Sequence, residues 1–224
     1  MPTLSLAPGT TFCEVDGSRI FLDLERDRYF SLGALSNAAF DTLLRGRQPR
    51  EAEQQRLDRL VEAGILVRDP FGEAPRPCRS VTIDRAPLDE NIELHVPTLR
   101  IVRSAIAFRF AKAAYRRRGL RHAWTHLRRT KELRLSALRP GTARQLEELA
   151  LRFDAVGRMV GALNHCVPFS VTIARACIAS ELEASLVLGV KLRPFQAHAW
   201  AVSGRTLLSD RLSTVAQFTP IAIL

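Results

Sequence analysis

Apolar and polar positions alternate near the start of the chain, which is the pattern of β-strands with one buried face. Residues 11–15 and 19–24 alternate on either side of Asp16-Gly17, a dipeptide typical of a two-residue hairpin turn. A polar turn then leads to a third short strand over residues 29–32. We therefore predict a small antiparallel sheet over residues 10–32.

The spacing of apolar residues becomes helical after this sheet. It predicts one helix beginning near Leu35 and a second over residues 51–63, which Gly64 ends as a C-terminal glycine. Residues 65–67 form a last short strand. We expect residues 1–72 to form a winged-helix-like module.

Five prolines lie among charged residues from Pro70 to Pro97, so residues 73–97 are predicted to be a linker and 98–224 a second domain. Thr98 is placed to cap a helix that Gly119 interrupts, and Thr142 caps another helix reaching Val160. The pattern of the remaining residues predicts a helix over 170–179, strands over 183–190 and 197–202, and a short third strand over 206–208. The fold class is α+β.

Composition is that of a globular protein, with 46% hydrophobic and 25% charged residues. No basic leader with an apolar core opens the chain, and no apolar run reaches the ~18 residues of a spanning helix. We expect no membrane span, a cytoplasmic location and four free thiols.

The net charge of +10 is unevenly distributed. Fourteen Arg and Lys residues lie from Arg100 to Arg144, where only Glu132 opposes them. Such a segment suits nucleic acid, an acidic peptide, an anionic surface or a solvated helix exterior. The predicted helix over 51–63 is acidic, however, and is a poor reader of the major groove. A nucleic-acid-binding protein is therefore the alternative function that the sequence disfavours.

Three residues of the last third form a candidate site for nucleophilic catalysis. Cys166 lies where a helix is expected to begin, just before Pro168, and a helix N-terminus favours the thiolate. His198 lies between two alanines in a predicted strand, and Asp210 follows the next strand of the same hairpin. A thiol, a base and a carboxylate that orients the base are the groups that thioester chemistry needs.

Competing assignments exist for each role. Cys177 lies within the helix over 170–179 and is interpreted as a core residue, while His165 is an alternative base. His122 and His126 lie four residues apart but lack further ligands, so no metal site and no cofactor are predicted.

Four segments together resemble the lasso-peptide leader peptidases, which are transglutaminase-like cysteine proteases: Cys166-Val-Pro-Phe-Ser170, Leu186-Val-Leu-Gly-Val190, Pro194-Phe-Gln-Ala-His-Ala-Trp200 and Leu208-Ser-Asp210. The resemblance implies a papain/transglutaminase-like domain, with Cys166 as nucleophile, His198 as base and acid, and Asp210 as the orienting carboxylate. Ser203 departs from the family, which often has an acidic residue there.

The same resemblance implies a substrate and a partner. The substrate is the leader of a ribosomally made lasso-peptide precursor, which the enzyme cleaves from the core peptide through a thioester. The partner is an ATP-using cyclase similar to asparagine synthetase, which closes the macrolactam. This sequence has no glycine-rich phosphate loop, so the ATP dependence is expected in that partner. An acyl transferase of the transglutaminase type remains an alternative, since it uses the same nucleophile and base.

The N-terminal module resembles the peptide-recognition element of ribosomal-peptide maturation enzymes, the pyrroloquinoline quinone D-type fold. That resemblance implies that a leader peptide is added as a strand to an exposed sheet edge. The groove would lie between the third strand and the second helix. The implied leader-binding residues are Arg28, Tyr29, Phe30, Ser31, Leu32, Leu57 and Val61.

Overall fold

A computed structural model describes residues 3–161 and 165–224 of the chain, as a mixed α/β protein. It divides into two compact units, Met1–Arg79 and Ser80–Leu224. The strands are β1 Thr3–Leu6, β2 Thr10–Val15, β3 Ser18–Asp23, β4 Arg28–Phe30, β5 Leu66–Asp69, β6 Ser185–Lys191, β7 Gln196–Ser203, β8 Thr206–Leu207 and β9 Thr219–Ile223. The helices are α1 Ala34–Leu44, α2 Glu51–Glu62, α3 Thr98–Glu132, α4 Ala143–Val160, α5 Cys166–Ala179 and α6 Leu212–Val215, with 3₁₀ turns at Pro87–Asp89 and Leu135–Ala137.

The first unit contains the predicted hairpin and helices. β2, β3 and β4 form an antiparallel sheet in that order, and the turn residues Asp16 and Gly17 have φ values of 49° and 74°. Their positive φ values explain why the sequence needs Asp-Gly at this turn. Prediction missed β1, which pairs antiparallel with β5 from the far end of the unit. The winged-helix assignment of this unit stays a prediction.

Aromatic side chains fill the core of the first unit. Phe12 and Phe21 stack with ring centroids 5.3 Å apart, and Phe40 of α1 meets both edge-on. Leu57 of α2 is 0% exposed and belongs to this core. It was predicted to line the leader-binding groove. This assignment is corrected, because Leu57 is buried in the core cluster with Phe12, Phe21 and Phe40 and has no surface to offer a ligand.

The second unit begins inside the predicted linker, at Ser80. Ala86 is buried in the core of this unit, beside Trp200 and Val202. The main chain of Arg85 accepts a hydrogen bond from Leu207 N–H at 2.8 Å. Residues 80–97 therefore contain segments packed onto the second unit, although their proline content favours a free linker.

Helices α3, α4 and α5 and a four-stranded antiparallel sheet form the rest of the second unit. The strand order is β8-β7-β6-β9. Gly119 interrupts α3 with φ 69° and ψ −170°, and Thr142 caps α4 by accepting a hydrogen bond from Gln145 N–H, both as predicted. Phe169 of α5 packs edge-on against Phe108 of α3 and Phe153 of α4. These rings fix the position of α5.

Candidate active site

Cys166 is the first residue of α5. His165 precedes it as the N-cap, and the carbonyl of His165 accepts the N–H of Phe169 at 3.0 Å. The first N–H groups of a helix have no partner within the helix, and the helix dipole favours negative charge beside them. The position of Cys166 thus suits a thiolate and an oxyanion.

His198 lies on β7, opposite Gly189 of β6. Its ring lies near two aromatic rings, with centroid distances of 6.1 Å to Trp200 and 5.2 Å to Phe218. A Cβ atom at Gly189 would lie 2.5 Å from Trp200 Cη2 and 3.1 Å from Phe218 Cβ. Gly189 is therefore required for the aromatic surroundings of His198.

Asp210 follows β8 and lies beside the imidazole. His198 Nε2 and Asp210 Oδ1 are 2.9 Å apart, and both side chains are less than one-fifth exposed. Partial burial strengthens this interaction, because little water screens the two groups. The structure thus brings together the base and the orienting carboxylate that the sequence predicted.

The protonation of His198 follows from opposing influences. Burial alone would lower the pKa of its imidazole, but the hydrogen bond to Asp210, the interaction with the Cys166 side chain and the charges of both groups raise that pKa to about 9. His198 is therefore an imidazolium at neutral pH. The effect of Cys166 on this pKa also identifies the third predicted residue as a neighbour of the ring.

Two serines attach this group of residues to the main chain of β7. Ser170, one turn after Cys166, donates a hydrogen bond to the Ala199 carbonyl at 3.0 Å. Ser209 accepts the Ala201 N–H at 3.0 Å and donates to Asp210 Oδ2 at 2.5 Å. Ser170 thereby holds the cysteine helix against the histidine strand, and Ser209 holds the carboxylate with Oδ1 towards the ring.

Sequence reasoning assigned no role to Ser170, Ser209, Gly189 or Phe218. Ser170, Gly189 and Ser209 do lie in the segments that resemble the peptidase family, and this was the only sequence feature that pointed to them. Phe218 had no signal, because its approach to His198 depends on the pairing of β9 with β6. Ser203, the departure noted in the sequence, is buried, and its hydroxyl has no hydrogen-bond partner within the described chain.

The competing groups have different surroundings. Cys177 is fully buried, as predicted for a core residue, and burial raises the pKa of its thiol to about 12. Burial also raises the pKa of Cys13 to about 12 and of Cys78 to about 11. The pKa of His165 is lowered by burial and by the positive charges of Lys112 and Arg116. His198, with its carboxylate partner, is the better base.

The remaining leader-binding candidates lie in the first unit, on and after the edge strand β4. Arg28 is exposed, and its guanidinium lies over the Phe30 ring at 5.2 Å. Phe30 and Leu32 are partly buried against the core, as is Val61 of α2, while Ser31 is exposed and Tyr29 is partly buried.

Metal binding and membrane crossing can be judged over residues 3–161 and 165–224. Within them, no group of three or more His, Cys, Asp and Glu side chains could hold a metal ion. None of the helices there combines the length and the apolar character needed to cross a bilayer.

Comparison with known protein families gives a match over the second half of the chain. A family model described as the transglutaminase-like superfamily matches residues 107–223, which is more than half of the chain. The matched range begins within α3 and includes Cys166, His198 and Asp210. No match was found among curated proteins or among solved structures.

Proposed function

Because the chain belongs to the transglutaminase-like superfamily, we propose that it is a cysteine endopeptidase using Cys166, His198 and Asp210. The contact between His198 Nε2 and Asp210 Oδ1, at 2.9 Å, is the observation that carries the proposal. The raised pKa of His198 supports it, because an imidazolium beside Cys166 stabilises a thiolate.

In the first half-reaction the Cys166 thiolate attacks the carbonyl carbon of the scissile peptide. The negative charge moves to the carbonyl oxygen, for which the N–H of Cys166 at the start of α5 is a suitable donor. His198 then gives its proton to the leaving amine, the C–N bond breaks, and a thioester remains on Cys166.

The second half-reaction regenerates the enzyme. Neutral His198 removes a proton from water, and the resulting hydroxide attacks the thioester carbon. The C–S bond breaks, the acid is released, and the thiolate–imidazolium pair is restored. Asp210 orients the ring in both half-reactions and stabilises its positive charge.

The proposed substrate is a lasso-peptide precursor, cleaved between leader and core. The edge strand β4 supports this part, because an extended leader could add to it by main-chain hydrogen bonds. Arg28, Tyr29, Phe30, Ser31, Leu32 and Val61 are the proposed contacts. The released core amine would pass to the ATP-using, asparagine-synthetase-like cyclase.

Cleavage is tested with synthetic lasso precursors and mass spectrometry of the products. Cys166→Ala should leave the precursor intact, because it removes the thiol that is proposed to form the thioester. Cys78→Ala, which removes another partly exposed thiol, should cleave at the wild-type rate. Undiminished cleavage by Cys166→Ala would contradict the proposed nucleophile.

An acyl transferase is the second candidate, favoured by the family match. It would transfer the acyl group from Cys166 to an amine instead of water. A fluorescent primary amine added to the precursor reaction distinguishes the two. Incorporation of the amine in place of hydrolysis would favour transfer.

A further inference from the structure

A groove of 1340 Å³ runs between α3, α4 and α5 in the second unit. Cys166, His198 and Asp210 do not line it, so the peptidase mechanism gives it no role. Its walls carry six arginines: Arg100, Arg103, Arg117, Arg118, Arg152 and Arg175.

The positive charge of these walls is poorly compensated. Glu148 is the acidic residue among the described residues that line the groove, and its Oε2 is already bonded to Arg100 at 2.7 Å. Arg152 is only 14% exposed at its side chain, and its Nε is buried without a hydrogen-bond partner in the described chain. Its ion pair with Glu148 Oε1 is long, at 3.9 Å. The groove therefore has an excess of positive charge, which carboxylates from a ligand would balance.

The groove also has apolar contacts to offer. Leu99 and Phe110 line it and are 68% and 73% exposed, an unfavourable state for large apolar side chains. They lie eleven residues apart on α3, which is about 16 Å along a helix. Alanines also line the groove, at Ala107 between them and at Ala111 just after Phe110, and allow a ligand to approach the helix closely.

We propose that this groove binds an acidic, amphipathic helix of a protein partner. Charge complementarity identifies its acidic face, because six arginines face one carboxylate. The exposed Leu99 and Phe110 identify its apolar face. The partner segment is helical because the groove is lined from α3, α4, α5 and the residues just after α5, so no strand offers its main chain to an extended peptide.

Two other anionic ligands would contact fewer of the features of this groove. A DNA duplex would use the arginines, but its phosphates would leave Leu99 and Phe110 without an apolar partner. A flat anionic bilayer would accept these side chains but would not reach Arg152, which is largely buried in a concave wall. Both ligands are therefore alternatives that the experiment tests.

The probe is a labelled synthetic helix of 18 residues, stapled in the helical state, with a leucine stripe flanked by glutamates. A matched peptide has glutamine at every glutamate. We expect the glutamate peptide to bind the full-length chain at least 10-fold more tightly by fluorescence anisotropy, and to weaken as salt is raised from 50 to 300 mM. Equal affinity for both peptides would overturn the proposal, and so would no binding of either.

Variants locate the binding. Arg103→Glu and Arg175→Glu, on α3 and α5, should each weaken the glutamate peptide at least 10-fold. Arg109→Glu is the matched control, since Arg109 is exposed on α3 but does not line the groove, and it should change the dissociation constant less than twofold. An equal loss in all three variants would indicate general charge attraction and would overturn the site.

The rival ligands are measured at the same salt, with a 20-base-pair DNA duplex and with vesicles containing 30% phosphatidylserine. Tighter binding of either than of the glutamate peptide, lost in Arg103→Glu and Arg175→Glu but kept in Arg109→Glu, would overturn the proposal. The outcome of these binding experiments does not depend on catalysis, because the same measurements can be made with the Cys166→Ala protein. Failure of precursor cleavage would leave this result standing.

Discussion

The edge strand β4 of the first unit and the strand β7 of the second unit differ in how their edges are used. β4 pairs with β3 alone in its sheet, so it is an edge strand of that sheet. β7 pairs with β8 only at Val202 and Ser203, and side chains bond its main chain before that point. The side of a strand can thus accept a partner or hold a reactive group, and β4 and β7 are suited to these two uses.

The side of β7 that faces β8 is the more constrained of the two, because side chains of the candidate site bond to its main chain. Ser170 and Ser209 each satisfy a main-chain group of β7 and, in the same contact, fix a neighbour of His198. These contacts link α5 and Asp210 to the main chain of β7, which helps to position both relative to the ring of His198. Changes near this edge should affect catalysis, whereas changes at β4 should affect binding of the peptide.

Replacing Asp210 by Asn should have the largest effect. We expect a fall in kcat/KM of about 10³–10⁴-fold, since the amide no longer holds the ring or stabilises its positive charge. Wild-type activity should fall as pH rises through about 9, where His198 loses the proton that the leaving amine needs. In Asp210→Asn this fall should occur at lower pH. A pH profile with the same upper limit in both proteins would contradict the role of Asp210.

Stability should depend on pH through the same histidine. The pKa of His198 is about 9 in the folded chain, against an ordinary value of 6.5, so its contribution to stability is complete below pH 6.5 and is lost as pH rises to about 9. The loss is on the order of 3 kcal/mol at most. It is measured as the difference in unfolding free energy between wild type and His198→Gln, by urea denaturation from pH 6 to pH 9.5. A difference that stays constant over this range would contradict the raised pKa.

Gly189→Ala should reduce kcat/KM by about 10²-fold, because the new Cβ requires Trp200 and Phe218 to move and the ring of His198 to move with them. Gly33→Ala is the control. A Cβ at Gly33, in the first unit, meets nothing within 4 Å, and its φ is −62°. Circular dichroism separates displacement of the ring from loss of the fold. Full activity in Gly189→Ala would show that the ring tolerates the displacement.

The sequence predicted several elements well where the signal was local, although Pro97 and not Thr98 is the N-cap of α3. Asp16-Gly17, Gly119 and the Thr142 cap all lie where the pattern placed them, since each depends on its nearest neighbours. It missed β1 and β9, because the partners of β1 lie some 60 residues away and β9 contains a proline.

Residues of the site followed the same rule. Cys166, His198 and Asp210 are chemically distinctive and could be predicted, although their roles stay predictions, whereas Ser170 and Ser209 acquire a role only through the part of β7 that β8 does not pair. Leu57 was misassigned for a related reason. An apolar residue on an amphipathic helix looks the same whether it packs inward or faces a ligand, and only the folded unit distinguishes the two.

Ser209→Ala should have a smaller effect than changes to the triad, about 10-fold in kcat/KM. Asp210 would keep its contact with His198 but lose the hydroxyl that fixes Oδ2. Because a freer carboxylate holds the ring less well, the upper limit of the pH profile should also move below about 9. Ser209→Thr retains the hydroxyl and should recover most of the activity.

Ser213→Ala serves as the control for Ser209, since Ser213 is exposed and uses its carbonyl, not its hydroxyl, in the hydrogen bond with Gln217. It should retain wild-type kinetics. A loss in Ser209→Ala that Thr does not restore, with an unchanged pH profile, would indicate a packing role instead of a positioning role.

Arg28→Glu should have the smallest effect and one of a different kind. Arg28 is exposed on β4 and its cation covers Phe30, so charge reversal alters the edge without entering the core. If the leader adds to β4, KM for the full precursor should rise about threefold to tenfold while kcat stays the same, because only binding remote from the scissile bond is lost. Arg47→Glu, an exposed charge reversal elsewhere in the first unit, should leave both constants unchanged. A fall in kcat with unchanged KM would remove the distinction between the two edges, because it would give β4 a part in the chemistry that β7 is proposed to organise.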